Sequence, residues 1–119
     1  MTPPEYVSYQ LAIVLTAPVN LAIGKLGRFD FPAGRYVYTG SARRNLEARI
    51  ERHLRRDKKL HWHIDYLTTA AEATVVNVDR FTQTECGLNQ QTAGTILIPG
   101  FGASDCHAGC GSHLKYLEK

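Results

Sequence analysis

The chain has 119 residues, 44% hydrophobic and 21% charged, which fits one globular domain able to bury a modest core without disulfide staples. No apolar run approaches the roughly 18–20 residues of a membrane helix, and the opening MTPPEYVSYQ has no basic signal-like region. The expectation is therefore a cytoplasmic protein with no membrane partner.

Residues 7–15, VSYQLAIVL, read as a first strand, central in its sheet because it is largely apolar. Ala17 to Asn20 makes a turn and Leu21-Ala22-Ile23 begins a second strand, so residues 7–25 are expected to form a hairpin. Arg28-Phe29-Asp30-Phe31 alternates polar and apolar like a short edge segment. Pro32-Ala33-Gly34 turns the chain into a strand from Arg35, on which Tyr36 and Tyr38 share one face. Thr39-Gly40-Ser41 supplies turn chemistry.

From Leu46 the apolar period becomes helical, with Leu46, Ile50 and Leu54 as its stripe. Asn45 is the expected N-cap, and Glu47 lies near the positive end of the dipole. Arg49 and His53 fall beside the stripe, at the core boundary. The basic run ends near Lys59. A second helix is expected over 61–67 and a strand over 73–80. A third helix runs from Thr82 to about Ala93, with Gly94 as its stop. A glycine-rich loop over 99–111 leads to a closing strand at 112–117. The order predicts a single α+β domain spanning 1–119, with a small, mainly antiparallel sheet flanked by helices.

The net charge of +3 conceals an asymmetry. Residues 43–59 hold eight Lys and Arg against three Asp and Glu, a local +5, while the rest of the chain is −2. A local basic patch is the electrostatic footprint of nucleic-acid binding. Gly40, Ser41, Arg43, Arg44, Arg52, Arg56, Lys58 and Lys59 are its candidate contact residues. The plainer alternative is a solvated helix face with internal pairs such as Glu51 to Arg55.

Tyr38-Thr39-Gly40-Ser41-Ala42, followed by Leu46, Arg49 and His53, resembles the second half of the GIY-YIG nuclease signature. Ser8-Tyr9-Gln10 stands where the first half would lie, with Val7 in place of its glycine. The likeness extends to a small, poorly characterised branch of that superfamily through RHLRRDKKLHWHIDYL, the Glu85-Cys86 pair and GFGASDC…SHL. The resemblance implies a metal-dependent endonuclease acting on nucleic acid, DNA more than RNA. Tyr9 and Tyr38 would position or activate water, His53 would assist, and Arg49 would stabilise phosphorane charge. Glu85 would hold Mg²⁺ or Mn²⁺. A guanidinium can fork onto two phosphate oxygens, and a carboxylate is a hard oxygen ligand for such ions. A tyrosine near its ordinary pKa of about 10 is a poor base, so Arg49 and the metal would have to lower it.

Each residue has a structural alternative. The tyrosines suit a pleated strand, and Thr82-x-x-Glu85 spells a capping box. His61 and His63 flank Trp62 either as a packed cluster or as a nucleic-acid-facing edge, and Asp65 either orients a histidine or holds its helix. Three cysteines cannot all pair, so reduced thiols or a metal site are expected. Cys106, Cys110 and His113, with Cys86 as a fourth ligand, have plausible zinc spacing. Two functional alternatives follow: a non-catalytic nucleic-acid-binding module of the same fold, and a small zinc-stabilised interaction domain.

Overall fold

The apolar segment near the start is the central strand. In the computed structural model, which describes residues 6–42, 45–55, 58–60, 62–101 and 112–118, Ser8–Leu15 (β1) buries Tyr9, Leu11, Ile13 and Leu15 on one face. It pairs antiparallel on one side with Gly34–Ser41 (β4) and on the other with Ala73–Phe81 (β5). Leu114–Glu118 (β6) adds to the far edge of β4, giving the order β5-β1-β4-β6. Across the β1–β4 register Tyr9 faces Gly40, Leu11 faces Tyr38 and Ile13 faces Tyr36. The domain is thus α+β with a mainly antiparallel sheet, as its sequence predicts.

Val19–Ile23 (β2) and Gly27–Phe31 (β3) form a separate two-stranded ribbon. The hairpin expected over 7–25 is therefore not formed. Both edges of β1 are taken by longer partners, and the Thr16 N–H bonds the Glu72 carbonyl, leading the chain off the sheet. Gly24 and Gly27, both at positive φ, close the tight β2–β3 connection instead. The ribbon buries Ile23 and Phe31 against the main core.

The described residues hold three helices: Leu46–Leu54 (α1), His63–Thr68 (α2) and, after β5, Glu85–Gln91 (α3). α1 stops at Leu54, with Arg55 already extended, because no apolar period continues through the charged residues beyond it. Its buried stripe is Leu46, Ile50 and His53, whereas Leu54 is 51% exposed. The i, i+4, i+7 set wins over the expected i, i+4, i+8 set, so His53 sits in the core and not at its boundary. Asn45 holds the N-cap position but in the left-handed region, without the expected side-chain bond; capping geometry normally needs extended backbone there.

α3 begins at Glu85 and not at Thr82. Thr84 is its cap, accepting the Gly87 N–H at 3.2 Å. The Thr82/Glu85 capping box is consequently absent, and Glu85 occupies the first helical position. α2 packs near β2 and β5, α1 against α2, and α3 against β4. His53 of α1 reaches the Tyr9/Tyr38 face of the sheet. The C-terminal end of α3 bonds the other face, where Thr92 meets Gln10 and the Asn89 carbonyl accepts from Lys115. Among the described residues no helix is long and apolar enough to cross a membrane.

Candidate functional site

The expected turn at Thr39-Gly40-Ser41 is the last part of β4. Gly40 serves close approach there: a Cβ on it would collide with Cζ and Oη of Tyr9. With that space free, the Tyr9 ring lies across the end of β4. Its hydroxyl meets Nε2 of His53 on α1 at 2.6 Å. Tyr38 and Trp62 complete a ring cluster on this histidine, with centroids 6.0 and 5.6 Å away.

Burial dominates the protonation of this cluster. The Tyr9 phenol is pushed well above its ordinary value by desolvation; Arg49 pulls it down, and Glu85 and Asp65 push it further up. Tyr38 is likewise raised by burial, with Tyr9, Glu85 and Asp65 adding to it. For Tyr9, desolvation raises the phenol by more than Arg49 lowers it. His53 is lowered to about 4 by burial, then by Lys58, with Asp65 opposing, so it is neutral at pH 7. Its Nδ1 is buried and has no hydrogen-bond partner.

Arg49 donates to the Ser41 carbonyl at 2.6 Å, and its guanidinium lies 4.8 Å from the Trp62 ring centroid. Among the described residues it has no carboxylate partner. Arg52 also lies over Trp62, at 4.5 Å. Asp65, fully buried, takes both Arg52 nitrogens at 2.9 and 3.0 Å and accepts the Trp62 N–H at 2.8 Å. Asp65 therefore holds the start of α2 and orients Arg52. Lys58, whose side chain is only 4% exposed, reaches Asp65 at 3.7 Å and donates to the carbonyls of Arg52 and His53.

Of the expected nucleic-acid contacts, Gly40 is buried, Ser41 half-buried and Lys59 exposed, while Arg52 and Lys58 are engaged inward as described. Arg43, Arg44 and Arg56 lie outside the described residues, as do His61, Cys106 and Cys110. His63 packs its ring against Phe101 at 5.6 Å, and burial lowers its pKa.

Glu85 lies close enough for its charge to act on both Tyr9 and Tyr38. Its Oε1 is 3.2 Å from Nδ1 of His113. Glu85, Cys86 and His113 together bring potential metal donors within 4.8 Å of one another. Contrary to the expectation of reduced thiols, Cys86 is disulfide-bonded, and a disulfide sulfur is not the thiolate that zinc takes. The proposed zinc set would require its reduction. Sequence reasoning missed the Ser41 carbonyl, the Asp65–Arg52 fork and the Glu85–His113 pairing. The lone Trp beside a basic run was the one available signal for the stacked guanidinium groups.

A family model described as Domain of unknown function DUF123 matches residues 8–119. No curated protein and no solved structure matches the chain.

Proposed function

We propose that this chain, which belongs to the DUF123 family, is a metal-dependent endonuclease that hydrolyses phosphodiester bonds in nucleic acid, with DNA as the expected substrate. The observation that carries the reading is the buried Tyr9–His53 pair at 2.6 Å, lying in the fields of both Arg49 and Glu85. The likeness of Tyr38-Thr39-Gly40, Arg49 and His53 to the GIY-YIG signature supports it.

The half-exposed Glu85 carboxylate, with an unpartnered buried nitrogen beside it, fits a divalent cation. Bound there, Mg²⁺ or Mn²⁺ would neutralise charge on the scissile phosphate and its leaving oxygen. Arg49 serves the phosphate itself. Its guanidinium is steadied by Ser41 and Trp62, and its remaining donors are available to two phosphate oxygens. Tyr9 keeps its proton at rest, since burial outweighs Arg49. It orients a water through its hydroxyl. It accepts a proton from that water only as its own passes to neutral His53 Nε2.

Purified protein incubated with Mg²⁺ or Mn²⁺ and a panel of duplex, branched and single-stranded DNA and RNA tests this. Wild type should cut, and Arg49→Ala should lower the rate about 100-fold or more. If neither protein cuts any substrate while both bind with salt-sensitive affinity, the chain is a non-catalytic binding module. That second reading is favoured by the raised Tyr9 pKa alone. Stoichiometric zinc held through cysteine thiolates would instead favour the interaction domain.

A further inference from the structure

We infer that His113 is a second protein ligand beside Glu85, and that the site therefore prefers a first-row transition metal such as Mn²⁺ over Mg²⁺. The inference rests on reading Glu85 as a metal ligand and adds the donor set and its preference.

His113 is fully buried, and its Nδ1 has no hydrogen-bond partner. Burying a polar nitrogen without a partner is costly. Glu85 Oε1 lies 3.2 Å away, a suitable distance without the alignment a hydrogen bond needs. Two donors sharing one metal have no such requirement between themselves. With metal–ligand distances near 2.1 Å, their separation along one edge of a tetrahedron or octahedron is about 3.0–3.4 Å. The observed spacing falls inside that range.

The fold also fixes the two donors independently. Glu85 is at the start of α3, behind the Thr84 cap. The His113 backbone is clamped on both sides: its N–H bonds the Phe101 carbonyl at 2.8 Å, and its carbonyl accepts from Thr39 at 3.0 Å. A preorganised carboxylate–imidazole pair suits Mn²⁺, Co²⁺ or Zn²⁺, whereas Mg²⁺ prefers oxygen ligands throughout. With Cys86 in a disulfide, Glu85 and His113 remain as the two donors of this group among the described residues.

Chelator-treated full-length protein titrated calorimetrically with Co²⁺, Mn²⁺ and Mg²⁺ tests the inference without any nuclease assay. Co²⁺ should bind at one ion per chain and at least tenfold tighter than Mg²⁺. His113→Gln should lose at least tenfold of the Co²⁺ affinity, and Glu85→Gln should weaken all three ions. Equal Mg²⁺ and Co²⁺ affinities would overturn the inference. If Glu85→Gln weakens binding and His113→Gln does not, His113 is no ligand while Glu85 remains one. If neither variant matters, both readings fall. Because His113 is buried and its variant could misfold, wild type supplies a second readout. Adding Zn²⁺ should move one histidine Nδ1 resonance in a long-range ¹H–¹⁵N spectrum, and no shift at any histidine would sink the proposal.

Discussion

His53 carries an acid-sensitivity that follows from its burial. Its folded pKa is about 4, below the roughly 6.5 of an unfolded histidine. Between those values the unfolded chain binds a proton that the folded chain refuses. Stability is therefore fully present above about pH 6.5 and falls as the pH drops toward 4, by about 2 kcal/mol at pH 4.5. Urea melts near pH 7 and pH 4.5 should show wild type losing about that much more than His53→Gln, which retains a polar group for Tyr9. Equal losses would mean the proton is accommodated in the folded site. His63, also lowered by burial, is present in both proteins and cancels. At this scale the sequence named Tyr9, Tyr38, Arg49, His53 and Glu85 as candidates; the fold packs Tyr9, Tyr38 and His53 together, and the charges of Arg49 and Glu85 act on both tyrosines. It gave no sign of the Ser41 carbonyl under Arg49, because a backbone acceptor has no residue type. Nor did it foretell how far desolvation of the tyrosines outweighs Arg49, since that depends on depth in the core.

Two acidic residues on neighbouring elements separate structural from incidental ion pairs. Asp65 of α2 is fully buried under Arg52 and Lys58 and closes the first turn at Trp62. Removing its charge strands two cations in a desolvated site, so Asp65→Asn should cost about 3 kcal/mol or more. Glu47 of α1 meets Arg80 of β5 through two bonds of 2.6 Å, which hold its pKa down. It is largely exposed, however, and solvent screens the pair. Glu47→Gln should cost far less than Asp65→Asn, and added salt should erase what difference there is. Urea denaturation of both variants at low and high salt checks the contrast; similar losses would contradict it. Elements were legible where one chain segment carries its own period, as in β1, β4 and β5. They were less so where the outcome depends on a second segment. The partner of β2 was decided by which edges of β1 were already filled. The face of α1 was decided by Tyr9, which draws His53 inward and leaves Leu54 outside.

Across the whole molecule, hydrogen bonding is unevenly shared. β1 is paired on both sides along its length. β5 is an edge strand, and a bulge opposite Ala12 and Ile13 leaves Val76 without a partner and 58% exposed. The β6 edge is bridged by Thr95, which exchanges two 2.8 Å bonds with Tyr116. Among the described residues, β2 and β3 pair only with each other. Native-state hydrogen exchange should therefore find β1 amides near the global limit and ribbon amides the fastest among the described strands. Ribbon protection equal to that of β1 would show that the two sheets open as one unit. An antiparallel α+β architecture was foreseeable from element order alone; the division into two sheets was not.

The contact between Gly40 and Tyr9 also constrains how this chain can change over generations. Any side chain at 40 meets the Tyr9 ring, and overpacking of this kind typically costs about 1–3 kcal/mol. The harm of Gly40→Ala thus depends on what stands at position 9. Replacing Tyr9 by leucine removes Oη and the ring edge that the new methyl would strike. The double substitution should be less damaging than the two single effects combined. The dependence runs one way: position 40 can gain a side chain only after the ring at position 9 has gone.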